Sequence, residues 1–231
     1  MKTALIIAPH PDDAEIAMGG TIAGMLSLGW NVVVADLTDG EPTPFGTKSI
    51  RIKETNKASE ILGIKKRICL NMPNRYLETT LENRRKLAEV IRLNKPDLLF
   101  GPVTPDWHPD HRAACELMEG ARFEAKFFKT QMKGKPYWPM RLYYYYSPHR
   151  CEYQKPTFIV DITKFWEIKL SAVKAYGSQL KNTSQPASPG LIDKLTIIAK
   201  YFGQCINVKY GEPFISLEPI SANDISVFAD F

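Results

Sequence analysis

Residues 4–13 read Ala4-Leu5-Ile6-Ile7-Ala8-Pro9-His10-Pro11-Asp12-Asp13, an apolar run that ends in imidazole and carboxylate groups. Much later in the chain, the apolar run 98–100 precedes a similar cluster, His108-Pro109-Asp110-His111. A short continuous apolar run is typical of a buried strand, and a proline suits the first turn of a helix. Both clusters are therefore predicted to lie where a strand gives way to a helix, at the carboxyl edge of a sheet.

Strand and helix patterns alternate through the first half of the chain. The predicted strands are 4–8, 32–37, 68–70 and 98–100, and the predicted helices are 16–28, 50–62, 81–93 and 110–123. This alternation predicts an α/β fold, doubly wound, with a mostly parallel sheet that carries helices on both faces. The C-terminal part adds an aromatic run at 142–146, a strand at 157–161, and helices at 163–176 and 191–202 that flank a loop at 177–190. Because no linker divides the pattern, we expect a single domain over residues 1–231.

Composition excludes several classes of protein. The chain has 231 residues, of which 44% are hydrophobic and 24% charged, as in a soluble globular domain. Its net charge is +5, but the basic residues alternate with acidic ones, so we expect no nucleic-acid partner. The apolar run before His10 is too short for a signal peptide or a membrane span, which predicts no membrane partner and a cytoplasmic location. The four cysteines form no C-x-x-C pair, so neither a disulfide framework nor a cysteine zinc site is predicted.

The two polar clusters contain three of the four histidines, together with carboxylates in the first turns of two helices. A helix N-terminus favours ionised carboxylates. A catalytic zinc site has three protein ligands and one position for water, and His10, one aspartate and one of the two later histidines would supply that set. The remaining aspartate of the pair Asp12-Asp13 would stay free for proton transfer. A lone His-Pro-Asp triplet is more typical of a turn, but two such clusters at equivalent positions favour a shared metal site.

The sequence around the first cluster resembles the signature of a known enzyme family. The matching residues are Pro9-His10-Pro11-Asp12-Asp13-Ala14-Glu15 and Gly19-Gly20-Thr21, and the second cluster resembles the other metal motif of the LmbE-like (PIG-L) zinc-dependent N-deacetylases. Weaker matches are Arg51-x-x-Glu54-x-x-x-Ala58, Ala175-Tyr176-x-Ser178-Gln179 and Tyr210-Gly211-Glu212-Pro213-Phe214. The resemblance implies a Rossmann-like fold of the LmbE type, one Zn²⁺ per subunit and a homo-oligomer. Fe²⁺ is an alternative metal, because it also accepts two histidines and a carboxylate.

The resemblance also implies a role for each polar residue of the two clusters. The zinc ligands would be His10, Asp13 and His111. Asp12 would be the general base that activates water, and His108, steadied by Asp110, would donate a hydrogen bond to the developing oxyanion. The reaction would be hydrolysis of an acetamide to acetate and a free amine.

Four further residues are candidates for contacts around the reaction centre. Arg51, Asn74 and Tyr176 would contact the substrate, and Glu15 would orient a metal ligand by a hydrogen bond. Each of three has a simpler alternative in the sequence alone. Arg51 could form a helix-surface pair with Glu54, Tyr176 could serve only in packing, and Glu15 could belong to the first helical turn without further function.

The family resemblance predicts an N-acetylglucosamine conjugate as the small-molecule substrate. The similarity is greatest to the bacillithiol-pathway enzymes, which deacetylate N-acetylglucosaminyl malate. Two departures weaken that assignment: Trp107 stands where this branch often has arginine, and Asn74 where many relatives have aspartate. The alternative substrate is another N-acetyl sugar, such as a chito-oligosaccharide.

Two other classes of function are less compatible with the sequence. A Rossmann-type nucleotide-binding protein would carry G-x-G-x-x-G in the first strand-to-helix turn, where this chain has His10-Pro11-Asp12-Asp13. A non-catalytic zinc-dependent sugar-binding module would use the metal ligands but would have no use for Asp12. The sequence therefore favours the enzyme.

Overall fold

The computed structural model describes residues 1–148, 154–181 and 190–221. Its strands, in chain order, are β1 (Thr3–Ala8), β2 (Asn31–Thr38), β3 (Lys66–Met72), β4 (Leu98–Pro102), β5 (Arg141–Tyr145), β6 (Phe158–Asp161) and β7 (Gly211–Ile215). Its helices are α1 (Asp13–Ser27), α2 (Lys48–Leu62), α3 (Leu81–Asn94), α4 (Pro109–Glu124), α5 (Trp166–Lys174), α6 (Gly177–Leu180) and α7 (Leu191–Gln204). A 3-10 turn, Thr163–Phe165, precedes α5. None of the helices in the described part of the chain is both long and apolar enough to cross a bilayer.

The seven strands form one sheet in the order β3-β2-β1-β4-β5-β7-β6. The first five positions are parallel, and β7 runs antiparallel to both β5 and β6. The predicted mostly parallel α/β fold is confirmed. Strands β1 and β4 are neighbours at the point where the chain reverses its direction across the sheet, and in open parallel sheets a crevice opens beyond the carboxyl ends of such strands. Both polar clusters follow these two strands.

Residues of β1 alternate between two hydrophobic clusters on opposite faces of the sheet. Leu5 and Ile7 pack in a cluster with residues of α3 and α4. Ala4, Ile6 and Ala8 pack in a second cluster with residues of α1, α2 and α5. All five side chains are fully buried. Helices therefore cover both faces, which explains why the strand has a continuous apolar run instead of an alternating pattern.

The C-terminal part differs from the prediction in two respects. The predicted helix 163–176 is divided into the 3-10 turn and α5, and α6 lies in the predicted loop 177–190, of which residues 182–189 are outside the described residues. Strand β7 was not predicted, because a proline and a glutamate stand in its middle. Pro213 pairs with Ile159 of β6. On the other side of β7, the pairs with β5 are formed by Ile215 and Phe214, so Pro213, which has no N–H to donate, lies outside that ladder.

Helix α1 bends at Met18 (φ −141°, ψ 26°), and a buried carboxylate from β7 caps its second half. Glu212 accepts hydrogen bonds from the backbone N of Gly20 at 3.0 Å and from the N and Oγ1 of Thr21 at 2.7 and 2.6 Å. Lys169 Nζ lies 2.5 Å from the same carboxylate. The first N–H groups of a helical segment have no partner within it, and here Glu212 supplies one. The bend therefore leaves α1 fixed to the C-terminal strand.

Candidate active site

The two polar clusters meet above the carboxyl ends of β1 and β4. The Oδ2 atom of Asp13 lies 3.1 Å from Nδ1 of His10 and 3.4 Å from Nε2 of His111. One side-chain ligand atom from each of these three residues lies within 4.8 Å of the others. The fold thus brings together the two imidazoles and the carboxylate that the family resemblance implies as one set.

The donor set fits a divalent metal ion. Two imidazole nitrogens and one carboxylate oxygen are the ligand types and the number found in catalytic zinc sites. Each histidine also has a carboxylate on its other nitrogen: His10 Nε2 lies 3.1 Å from Asp110 Oδ2, and His111 Nδ1 lies 3.1 Å from Asp106 Oδ2. Metal-binding histidines are almost always oriented in this way by a carboxylate or carbonyl. His10, Asp13 and His111 are therefore the residues that would hold the ion.

Sequence analysis missed Asp106, which is 3% exposed and contacts both later histidines. Its Oδ1 accepts the backbone N–H of His108 at 2.8 Å, and its Oδ2 binds His111. Burial opposes ionisation, but the hydrogen bond and charge of His111 lower the pKa of Asp106 to about 2. The only local signal is an aspartate two residues before His108, a spacing that is also common in ordinary turns.

Asp110 contacts His10 through its carboxylate and His108 through its backbone. Its carboxylate accepts the backbone N–H of Arg75 at 2.7 Å and of Leu77 at 3.2 Å, as well as contacting His10. Its link to His108 is its backbone N–H, which donates to Nδ1 of His108 at 3.2 Å. By distance, His10, His108 and Asp110 also form a possible metal group. Because the Asp110 oxygens already accept two backbone hydrogen bonds, the group with Asp13 fits an ion better.

Asp12 precedes α1 with an uncommon backbone conformation and a shifted pKa. Its φ of 125° lies in a region that residues other than glycine rarely adopt, and such strain is concentrated at functional sites. Arg51 Nη1 donates to Asp12 Oδ2 at 3.0 Å. Burial and the neighbouring charge of Asp13 raise the pKa of Asp12 to about 7, although Arg51 and His10 act in the opposite direction. A carboxyl group that exchanges a proton near neutral pH suits general acid–base chemistry.

The three histidines of the site have different proton affinities. Burial alone would lower the pKa of His10, but its hydrogen bonds to Asp110 and Asp13 raise it to about 9. Burial likewise opposes protonation of His111, but the charge of Asp13 outweighs it and the pKa rises to about 10. Burial and the nearby His10 and His111 lower the pKa of His108 to about 4. His108 is therefore neutral at pH 7, and because its Nδ1 accepts a hydrogen bond, we assign its proton to Nε2.

Arg51 is buried in the wall of the site, where it stabilises Asp12. It is 3% exposed and donates to the backbone O of Pro11 at 2.9 Å in addition to Asp12. Glu54, the alternative partner in the sequence, instead accepts hydrogen bonds from the N and Oγ of Ser178, both at 2.7 Å. Arg51 also lines the cleft, so its predicted contact with substrate stays a prediction.

Glu15 and Tyr176 belong to a buried ionic cluster behind the site. Glu15 is fully buried and forms an ion pair with Arg67, which also binds Asp36 at 2.7 Å. The hydroxyl of Tyr176, a residue that is 1% exposed, donates to Glu15 Oε1 at 3.1 Å. Neither Glu15 nor Tyr176 is among the described residues that line the cleft. Glu15 contacts Arg67 and Tyr176, and the predicted roles of Tyr176 with substrate and of Glu15 with a metal ligand stay predictions.

A cleft of about 320 Å³ opens over the metal-binding residues. This volume is at the lower end of the range for small-molecule sites. Asn74 lines it, as predicted, and so do Arg75, Thr43 and Gln179, which sequence analysis did not select. Gln179 Nε2 donates to Thr43 Oγ1 at 3.2 Å. The lining therefore includes several polar side chains besides the two clusters, and these suit a hydroxyl-rich ligand.

Comparison with known proteins places this site in a family. The family model "GlcNAc-PI de-N-acetylase" (PIG-L) matches residues 5–121, which contain both polar clusters. Diacetylchitobiose deacetylase of Thermococcus kodakarensis is 32% identical over 228 residues, which cover 92% of this chain and 82% of that protein. The probable N-acetyl-alpha-D-glucosaminyl L-malate deacetylase 2 of Bacillus anthracis is 29% identical and covers 77% of this chain and 81% of its own length.

A solved structure agrees with these sequence matches. The conserved protein TT1542 from Thermus thermophilus superposes with a TM-score of 0.88 at 36% identity, and the match covers 96% of this chain and 97% of that one. The shared fold extends through the C-terminal strands, beyond the segment that the family model matches. The chain belongs to the GlcNAc-PI de-N-acetylase (PIG-L) family of LmbE-like proteins.

Proposed function

We propose that this protein is a metal-dependent deacetylase that removes the acetyl group from an N-acetylglucosamine unit of a short chito-oligosaccharide. The observation that supports this proposal most directly is that the adjacent residues Asp12 and Asp13 face different partners. Asp13 faces His10 and His111, whereas the adjacent Asp12 faces Arg51 and has a pKa raised to about 7. A site that only bound a metal and a sugar would have no use for this second carboxylate.

An ion held by His10, Asp13 and His111 would polarise the acetamide carbonyl and acidify a water molecule. Asp12 would accept the proton of that water as it attacks the carbonyl carbon. Arg51 holds the Asp12 carboxylate in place, at 3.0 Å, and limits the rise of its pKa. Asp12 would therefore be ionised when the reaction begins, protonated once the water has attacked, and ionised again after it gives up that proton.

His108 would stabilise the charge that develops on the carbonyl oxygen. Its lowered pKa keeps the ring neutral, and its Nε2–H is the donor because Nδ1 accepts the N–H of Asp110. A donor that is already oriented stabilises a developing oxyanion without reorganisation during the reaction. The proton on Asp12 would then pass to the leaving amine, which departs as the free amino sugar.

Two observations support the proposed substrate class: the substrates named for the relatives, and the polar side chains in the lining of the cleft. The relative at 32% identity acts on diacetylchitobiose, which supports a glucosamine oligomer. N-acetylglucosaminyl malate is the second candidate, supported by the relative at 29% identity and by Arg75, an exposed cation at the cleft that could bind a carboxylate. Arg75 Nη2 currently donates to the backbone O of Pro42 at 2.8 Å.

The test is the release of acetate from three substrates by protein loaded with Zn²⁺ or with Fe²⁺. The substrates are N,N′-diacetylchitobiose, free N-acetylglucosamine and N-acetylglucosaminyl malate. We expect the largest kcat/KM for the chitobiose and no turnover after the metal is removed by a chelator. A preference for the malate conjugate would replace the proposed substrate, and activity that survives complete removal of metal would reject the mechanism.

A further inference from the structure

Trp107 is an exposed aromatic residue next in sequence to a residue of the cleft lining. It immediately precedes His108, which lines the cleft, yet 72% of its surface is accessible. Indole rings are seldom so exposed, because leaving a large apolar surface in water is unfavourable. An exposed aromatic residue beside a binding site often marks a surface that a ligand covers.

The backbone that carries Trp107 is held firmly. Arg112 Nη1 donates to the backbone O of Trp107 at 3.1 Å and to that of Asp106 at 2.7 Å. The N–H of the next residue, His108, is bound by the Asp106 carboxylate at 2.8 Å. The indole therefore projects from a fixed segment that also positions the oxyanion donor, so little ordering entropy is lost when a ligand packs against this ring.

The size of the cleft indicates what would reach Trp107. The cleft is about 320 Å³, which suits one sugar ring with its acetamide at the metal-binding residues. A second ring must extend out of the cleft, and Trp107, the residue next to His108 of the lining, offers an exposed aromatic side chain outside it. Sugar rings carry C–H groups on their faces, and an aromatic ring offers them a flat apolar surface.

We propose that Trp107 is a specificity-determining residue that stacks on the second sugar ring of an oligosaccharide whose first ring is deacetylated. This inference rests on the proposed function and refines it, because it makes the dimer a better substrate than the monomer. It also gives a physical role to the tryptophan that replaces arginine relative to the malate-specific branch. A cation would bind a carboxylate at this position, whereas an indole suits a neutral sugar.

The test compares kcat/KM for N,N′-diacetylchitobiose and for N-acetylglucosamine in four proteins: wild type, Trp107→Ala, Trp107→Phe and Phe128→Ala. Trp107→Ala should lower kcat/KM for the dimer by about tenfold and leave the monomer unchanged. Trp107→Phe should recover part of the loss. Phe128 is 86% exposed and follows the opposite end of α4, so Phe128→Ala is the matched control and should change neither substrate.

If the ratio of kcat/KM for the dimer to kcat/KM for the monomer is the same in Trp107→Ala as in wild type, the proposal is overturned. A change of oligomeric state in Trp107→Ala, measured by light scattering, would also overturn it, because the indole would then belong to a contact between subunits. Calorimetric binding of N,N′-diacetylchitobiose to the same variants separates this inference from the proposed function. Absence of turnover combined with weaker binding by Trp107→Ala would reject the deacetylase and keep the stacking role, whereas equal binding by wild type and Trp107→Ala would reject the stacking role.

Discussion

The Nε2 atom of His10 lies 3.1 Å from the Oδ2 atom of Asp110, so a hydrogen bond joins the two motifs across the boundary between β1 and β4. Asp110 is itself fixed by the backbone N–H groups of Arg75 and Leu77. The contact leaves Nδ1 of His10 facing Asp13 at 3.1 Å. The Asp110 carboxylate therefore orients the His10 ring so that its other nitrogen faces the proposed metal position.

Replacing Asp110 with Asn should weaken metal binding by about 10- to 100-fold, because His10 loses the anion that orients it. The measurement is the dissociation constant for Zn²⁺ by competition with a chromophoric chelator. Glu82→Gln, a change on the exposed face of α3, serves as the control and should leave the constant unchanged. An unaltered affinity in Asp110→Asn would show that this hydrogen bond does not tune the site.

Asp12→Asn should retain the metal and lower kcat by about 10²- to 10⁴-fold, since the amide cannot accept the proton of the attacking water. Metal content and acetate release are measured on the same preparation. If Asp12 instead served mainly as a ligand, the variant would lose metal and activity together. Retention of both would remove Asp12 from the mechanism.

Arg51 provides a test through the pH–rate profile. Its charge lowers the pKa of Asp12, so Arg51→Met should raise that pKa and move the acidic limb of kcat/KM to higher pH. Arg51→Lys keeps the charge and should leave the limb close to that of wild type. A loss of activity in Arg51→Met that is equal at every pH would indicate only a structural role.

The metal-free protein should become less stable as the pH rises. The pKa values of His10 and His111 are raised from 6.5 to about 9 and about 10, so their contribution to folding is fully present below pH 6.5 and is lost as the pH rises through 9 and 10. A bound cation replaces these protons. Added Zn²⁺ should therefore raise Tm more at pH about 8.5 than at pH about 6, as measured by calorimetry. An equal rise at both values would contradict the assignment of these histidines as ligands.

Glu212→Gln should destabilise the fold by about 3 kcal/mol, because it leaves Lys169 as a buried charge without its anion. Urea denaturation gives the free energy of unfolding. Lys169→Met combined with Glu212→Gln removes both charges, and this pair should recover part of the loss. A change below about 0.5 kcal/mol in the single variant is the size expected of an ordinary surface substitution, and it would contradict a stabilising role for Glu212.

Local pattern was sufficient to predict the parallel half of the sheet and the meeting of the two polar clusters, whereas the choice of Asp13 and His111 as the partners of His10 came from the family resemblance. Continuous apolar runs mark doubly covered strands, and topology brings together the residues that follow β1 and β4. Pattern failed where tertiary contacts decide the outcome. Strand β7 was not predicted because Pro213 and Glu212 are unusual within a strand. The contact between Asp106 and His111 was not predicted because the local sequence around Asp106 is also typical of an ordinary turn. The single-domain organisation, the homo-oligomer and the cytoplasmic location stay predictions.

Two predicted site residues belong to a buried ionic cluster that the sequence did not predict. Glu15 and Tyr176 lie close in sequence to plausible functional positions. In the structure, however, Tyr176 donates a hydrogen bond to Glu15, and Glu15 forms an ion pair with Arg67. Arg67 is the second residue of β3 and lies in a short basic run, Lys65-Lys66-Arg67, of the kind that is usually exposed. Sequence alone does not distinguish a solvated arginine from one that balances two interior carboxylates.

The segment that identifies the family ends at residue 121, but the helix that presents Asp12 and Asp13 depends on Glu212. Truncation before β7 would keep every residue of both signature motifs and remove the carboxylate that secures the second half of that helix. An active fragment must therefore extend well beyond the segment that identifies the family. A change near the C-terminus, at β7, should reduce the activity of residues near the N-terminus.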